Sequence, residues 1–259
     1  MTTSTIYADT ADGQISSTAA TYADARPGTG AATVTATTTS TQNSVGQFNV
    51  SGFTYGCYEL FFWFATGAIA DGDTVSSATL SLYGASDSSA TDFTMTAALD
   101  NWGDTLTAGD YVAGASLSGL TTVATFATSG FSTSGYNAFT DVAFPANVDK
   151  TGNTRIIVYS SRHSGNNTPS GNEYVAVYMT NETGTTKDPK LVVEHTSSVS
   201  ATATPAAIVT SVAVPAVTVS LGKTVTPDAV VATAALPAAT AVANSTVTPA
   251  VIATSVTVP

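Results

Sequence analysis

Two histidines, His163 and His195, and one cysteine, Cys57, are the chain's whole stock of imidazole and thiolate ligands for a metal. A three-histidine zinc site is out of reach within one chain, and no cysteine cluster replaces it. A lone cysteine forms no intrachain disulfide, so Cys57 is expected as a buried thiol. The segment Gly114-Ala115-Ser116-Leu117-Ser118-Gly119 lacks the Gly-x-Ser-x-Gly spacing that raises a nucleophilic serine on a tight elbow. No glycine-rich phosphate loop is present. Carboxylates are plentiful, but acid–base pairing depends on their separation in space. These residue types point away from an enzyme.

The remaining candidates bind rather than react. Asp71-Gly72-Asp73 and Asp100-Asn101-Trp102-Gly103-Asp104 gather oxygen ligands of the kind Ca2+ takes. Both also have the make-up of an ordinary acidic turn. Asp71 and Asp73 are the candidate calcium ligands, and no other cofactor is expected. Sugar recognition stacks an aromatic ring on a sugar face and uses nearby amides and acids for the hydroxyls. Trp102 and Tyr111 lie in or near loops. Arg162-His163-Ser164-Gly165-Asn166-Asn167, closed by Glu173, adds polar groups. Trp102, Tyr111, Arg162, His163 and Asn166 are therefore the candidate glycan contacts. Trp102 also suits a core plug at one end of a sandwich, and Arg162 with Glu173 suits an ion pair across a loop neck.

The elements that must position these residues read as strands. The chain has 259 residues, 43% hydrophobic and only 10% charged, rich in Thr, Ser, Ala, Gly and Val. Hydroxyl side chains that compete for backbone hydrogen bonds, and β-branching, disfavour helices and suit short strands. Residues 56–66 form the densest aromatic run and read as a central strand. Alternation puts Tyr58, Leu60, Phe62 and Phe64 on one face and Cys57, Glu59, Phe61 and Trp63 on the other, so both faces are expected to be covered. Residues 74–84 are expected as the neighbouring strand. Further strands are expected near 5–8, 32–39, 48–50, 93–99, 121–128, 136–144, 154–160, 174–179 and 190–195, with a short helical turn at 107–111. Residues 14–31 carry mixed signals. About ten short strands separated by turn residues indicate an all-β fold, a jelly-roll β-sandwich.

That sandwich is expected to span residues 1–197. From 198 to 259 the composition changes: no aromatic residue, one acid (Asp228) and one base (Lys223). Prolines at 205, 215, 227, 237, 249 and 259 fall alternately ten and twelve residues apart, a period of 22 residues. Ile208, Val230 and Ile252 recur in phase, as do Val212, Ala234 and Val256. The tail therefore reads as a repeat-built β segment with prolines at its corners, intertwined or solenoid-like. So few repeats with such small side chains need a partner to form a core. Ile208, Val212, Val230, Ile252 and Val256 are the expected oligomerisation or anchoring residues, with a homotrimer as the first expectation and docking onto a neighbouring protein as the alternative.

The net charge of −11 argues against nucleic acid as partner and against adsorption to anionic membrane. No run is long enough to insert across a bilayer. Met1-Thr2-Thr3-Ser4-Thr5-Ile6 has no basic start and no apolar core, so no export signal is read there. A surface-type composition without that signal suits a virus particle protein made in the host cytoplasm.

Several stretches carry a resemblance. They are Ile6-Tyr7-Ala8-Asp9-Thr10-Ala11-Asp12-Gly13, Thr21-Tyr22-Ala23-Asp24-Ala25-Arg26, Cys57-Tyr58 with Phe62 and Phe64, and Val75-Ser76-Ser77-Ala78-Thr79-Leu80-Ser81-Leu82. Later come Tyr136-Asn137-Ala138-Phe139-Thr140, Gly171-Asn172-Glu173-Tyr174-Val175 and Asp188-Pro189-Lys190-Leu191-Val192-Val193. In this order they resemble the jelly-roll domains of tail-associated and other structural proteins of bacteriophages, which are distantly similar to DNRLRE-type and carbohydrate-binding jelly rolls. Trp63 and Ala65 depart from the polar residues expected at their positions. The resemblance implies a structural virion protein of the decoration, head-fibre or tail-fibre type on the virion surface. Its partners would be copies of itself, other capsid or tail proteins, and a host-surface glycan. The alternative is a carbohydrate-binding module of a bacterial or phage surface protein.

Overall fold

The computed structural model describes residues 1–50 and 54–197. The chain divides into two units, Met1–Thr202 and Ala203–Pro259, and every described residue lies in the first. The repeat residues Ile208, Val212, Val230, Ile252 and Val256 lie outside the described residues.

Among the described residues, twelve antiparallel strands carry the fold. They are β1 (Thr2–Tyr7), β2 (Gly13–Ala19), β3 (Thr33–Thr37), β4 (Gln42–Val50), β5 (Thr54–Phe64), β6 (Thr74–Asp87), β7 (Thr94–Leu99), β8 (Thr121–Ala127), β9 (Tyr136–Thr140), β10 (Thr154–Ser160), β11 (Asn172–Tyr178) and β12 (Lys190–Thr196). Two single-turn helices, α1 (Tyr22–Ala25) and α2 (Ser161–Ser164), follow β2 and β10. Residues 107–111 hold the expected turn, a 3-10 turn over Ala108–Asp110. No described helix is long and apolar enough to cross a membrane. The fold is an all-β sandwich.

Two strands act as hubs. β5 is hydrogen-bonded to β2, β4 and β10. β6 is hydrogen-bonded along its first part to β12 and β9 and at its far end to β11. The long β6 thereby passes from one layer into the other, and a register shift between Ala176 and Val177 marks the crossing. The expected pairing of residues 56–66 with residues 74–84 is corrected here: β5 and β6 are not ladder neighbours. Leu60, Phe62 and Phe64 of β5 share one core with Ala78, Leu80 and Leu82 of β6. Both strands have an apolar face, and face-to-face burial joins those faces where edge-to-edge pairing would leave one of them wet.

The alternation along β5 holds. Leu60, Phe62 and Phe64 enter the main core, with Met95, Phe139, Ile156 and Val158. Phe61, on the opposite face, enters a second core with Ile15, Trp102, Leu117, Ile157 and Tyr159. The segment 102–120 roofs that second face and excludes water from the Glu59 side of the strand.

Candidate functional site

The roofed face of β5 carries the chain's chemistry-bearing groups. Glu59 sits in the strand between Cys57 and Phe61, and all three are fully buried. The Val112 N–H donates to Glu59 Oε2 at 3.0 Å. Glu59 Oε1 lies 3.6 Å from Nδ1 of His163, itself fully buried in α2. Neither atom has a hydrogen-bond partner. On its other side His163 Nε2 is 3.1 Å from the Tyr111 hydroxyl and 3.3 Å from the Arg26 carbonyl oxygen. The Arg26 guanidinium donates to the carbonyls of His163 and Ser164 at 2.9 and 2.8 Å, fixing the α2 turn against α1. Two glycines make the approach possible. A Cβ on Gly28 would lie 2.2 Å from the Tyr111 ring, and one on Gly114 2.7 Å from the His163 ring.

Burial sets the charge state of this cluster. Desolvation pushes the Glu59 carboxyl well above the usual carboxylate range and lowers His163 to about 4. Desolvation also raises Cys57 to about 12 and Tyr111 higher than its ordinary value. At neutral pH the imidazole and thiol are uncharged, and the raised carboxyl resists ionising. Glu59, His163 and Cys57 are closed to solvent, whereas Tyr111 is partly exposed and lines, with Trp102, Asp100 and Asn101, a cleft of about 310 Å3.

The candidate glycan residues are thus only partly brought together. Tyr111 meets the buried His163, and Tyr111 and Trp102 line one cleft of about 310 Å3. Trp102 is 7% exposed and packs edge-on against Phe61, with ring centroids 5.1 Å apart. It is no open stacking platform, because the apolar second core draws the indole in. Arg162 forms a two-point ion pair with Glu173 at 2.5 and 3.3 Å. Gln47 also donates to Glu173, at 2.8 Å, and takes the Tyr22 hydroxyl at 2.9 Å. Asn166 alone of the five is exposed, with φ of 58°, a left-handed turn conformation that asparagine tolerates.

The Asp71–Asp73 turn does not gather a metal-binding set. Lys150 Nζ donates to the backbone carbonyls of both residues, so the chain's own ammonium faces the turn's oxygens. The Asp73 carboxylate instead accepts from or faces His195 Nδ1 at 2.7 Å, and His195 Nε2 is 2.9 Å from Ser4 Oγ. Among the described residues no group of three or more His, Cys, Asp or Glu side chains is placed to hold a metal ion. Ser4, His195 and Asp73 form a hydroxyl–imidazole–carboxylate chain by distance. The cleft beside Asp73, about 300 Å3, is lined by Thr74, Val75, Pro145, Ala146, Val148 and Lys150, and Ser4 is not part of it. Nucleophilic chemistry also needs donors aimed at a developing oxyanion, and this chain joins β1 and β12 to the turn before β6.

An open cleft lies at one end of the sheet. It holds about 400 Å3 and brings Asp100 and Asn101, after β7, beside Asp149, Asn153 and Arg155, around the start of β10. Arg155 bonds Asn101 and pairs with Asp104 at 2.8 Å while lying over the Trp63 ring at 5.1 Å. Burial raises Asp100, whereas hydrogen bonds from the Thr151 hydroxyl and N–H lower Asp149. The acid–amide turn at 100–104 was visible in the sequence. Its meeting with 149–155 was not, because only the β7–β10 ladder brings the two turns to one end of the sheet. Comparison with protein-family models finds no match for the chain, and comparison with curated proteins finds none.

Proposed function

We propose that the chain is a structural protein of a bacteriophage particle: a rigid jelly-roll head displayed on the virion surface and attached or oligomerised through its C-terminal repeats. The observation that carries this reading is the sealing of Glu59, His163 and Cys57 under the 102–120 roof. The head keeps its reactive groups uncharged or closed off and builds around them a continuous antiparallel sandwich, which suits covering and spacing rather than turnover. The resemblance of residues 1–197 to phage jelly rolls and the 22-residue period of the tail support the same reading. Mass spectrometry of purified particles tests it: the protein is expected among the stoichiometric virion components.

A second reading is favoured by the open cleft of Asp100, Asn101, Asp149, Asn153 and Arg155. Acids, amides and a guanidinium around a shallow depression are the groups that bond sugar hydroxyls. The head would then also bind a glycan. A glycan array with the full chain tests this reading independently of particle assembly.

A further inference from the structure

We propose that the outer face of strands β6, β9, β11 and β12 is a binding platform for an acidic polysaccharide, with Lys190 as its carboxylate-recognising group. Three tyrosines form a row there. Tyr83 of β6 and Tyr136 of β9 are direct cross-strand partners. Their rings meet edge-to-face at 5.2 Å, and Tyr83 meets Tyr178 of β11 the same way at 5.8 Å. All three rings are partly exposed, and Tyr7, the register partner of Lys190, is 41% exposed beside them. Two hydroxyls pin the row. Tyr83 donates to the Ser134 carbonyl at 2.8 Å, and Tyr136 to the carbonyls of Thr186 and Asp188 at 3.0 and 3.1 Å. A pinned ring loses little entropy when a ligand stacks on it.

The two lysines set the ligand's charge. Lys187 Nζ lies 4.1 Å from the Tyr178 ring centre and Lys190 Nζ 3.9 Å from that of Tyr136. Six of the chain's seven basic residues are described, and five of them reach an oxygen of the protein. Arg26 and Lys150 bond backbone carbonyls. Arg155, Arg162 and Lys187 pair with Asp104, Glu173 and Glu182. Lys190 alone among the described bases has an aromatic face and no oxygen partner. The ring holds its ammonium in place by cation–π attraction while its three N–H donors stay unused. An anion fits that position, and stacked tyrosines beside it fit the C–H face of a pyranose. A uronic-acid sugar presents both groups at once. The chain's net charge of −11 repels a polyanion at long range, so recognition is local and is seen at physiological salt, where repulsion beyond about 8 Å is screened.

This inference rests on the glycan-binding reading and not on particle assembly. The test is affinity electrophoresis of the full-length chain in alginate, a uronic-acid polymer, with neutral dextran as comparator, at physiological salt. Retardation by alginate and not by dextran is expected. Lys190→Gln and Tyr178→Ala are each expected to weaken it about ten-fold or more, as loss of a charged or stacking contact does. Thermal melting checks both variants; should Tyr178→Ala melt lower, Lys190→Gln carries the test. Alginate binding that survives Lys190→Gln overturns this site while leaving glycan binding standing. Equal retardation by dextran overturns the acidic assignment, and no retardation by either polymer overturns the platform and weighs against the glycan reading as a whole.

Discussion

Glu59 and His163 make the pH dependence of the head readable from single residues. The folded-state pKa of Glu59 is raised, so its contribution is complete below about 4.5 and is lost as pH rises toward the folded value. His163, lowered from 6.5 to about 4, contributes fully above 6.5 and loses that contribution as pH falls toward 4. Where both groups titrate, their two slopes oppose. Asp12, raised by burial to about 7, adds a loss of the same sign as that of Glu59 between 3.8 and 7. Glu59→Gln keeps an acceptor for the Val112 N–H and removes the ionisation, so it should raise the melting temperature more at pH 8 than at pH 5. Equal shifts at the two pH values would show that Glu59 ionises freely in the folded chain. Ser4 gives a second residue-scale prediction. A fluorophosphonate probe is expected to leave Ser4 unlabelled, read by intact-mass spectrometry, because Ser4 does not line the cleft beside Asp73. Stoichiometric labelling lost in Ser4→Ala would make the Ser4–His195–Asp73 chain a nucleophile.

At the scale of elements, β5 carries the head. Phe62 is fully buried in the main core, and Phe62→Ala should cost about 3–5 kcal/mol, measured by chemical denaturation. An unchanged midpoint would remove β5 from the centre of the fold. β5 was legible in sequence because its large residues alternate with period two and Leu60, Phe61, Phe62 and Phe64 are each buried in a core. β2 was not. Its sequence, Gly13-Gln14-Ile15-Ser16-Ser17-Thr18-Ala19, has one large apolar residue, yet it lies between β5 and β3. Small inward residues suit it to that place: Ser17 is buried and donates to the Ala25 carbonyl at 2.6 Å, which seats α1 directly above it. Trp102 and the Arg162–Glu173 pair were placed in loops by their neighbours in sequence. Whether a loop aromatic faces water or core depends on partners far along the chain, here Phe61 and Leu117, and no local pattern encodes them. The tyrosine row was missed for the same reason, since Tyr83, Tyr136 and Tyr178 come from three separate strands.

At the scale of the whole molecule, the proposed function joins a β-sandwich head to a C-terminal segment with a 22-residue sequence period. Among the described residues, the main core gathers large side chains of β5, β6, β7, β9, β10, β11 and β12 and the second core those of β2, β5 and β10, and the head is expected to fold without the tail. The proposed function places attachment in residues 199–259, where Ile208, Val230 and Ile252 recur at 22-residue intervals. The most direct measurement is the protein content of purified particles made with either the full-length chain or a chain ending at residue 198, with circular dichroism confirming that the shortened head is folded. The account predicts the full-length protein in the particles and a folded head left in the supernatant. A shortened head that still enters particles, or a full-length chain absent from them, would contradict it.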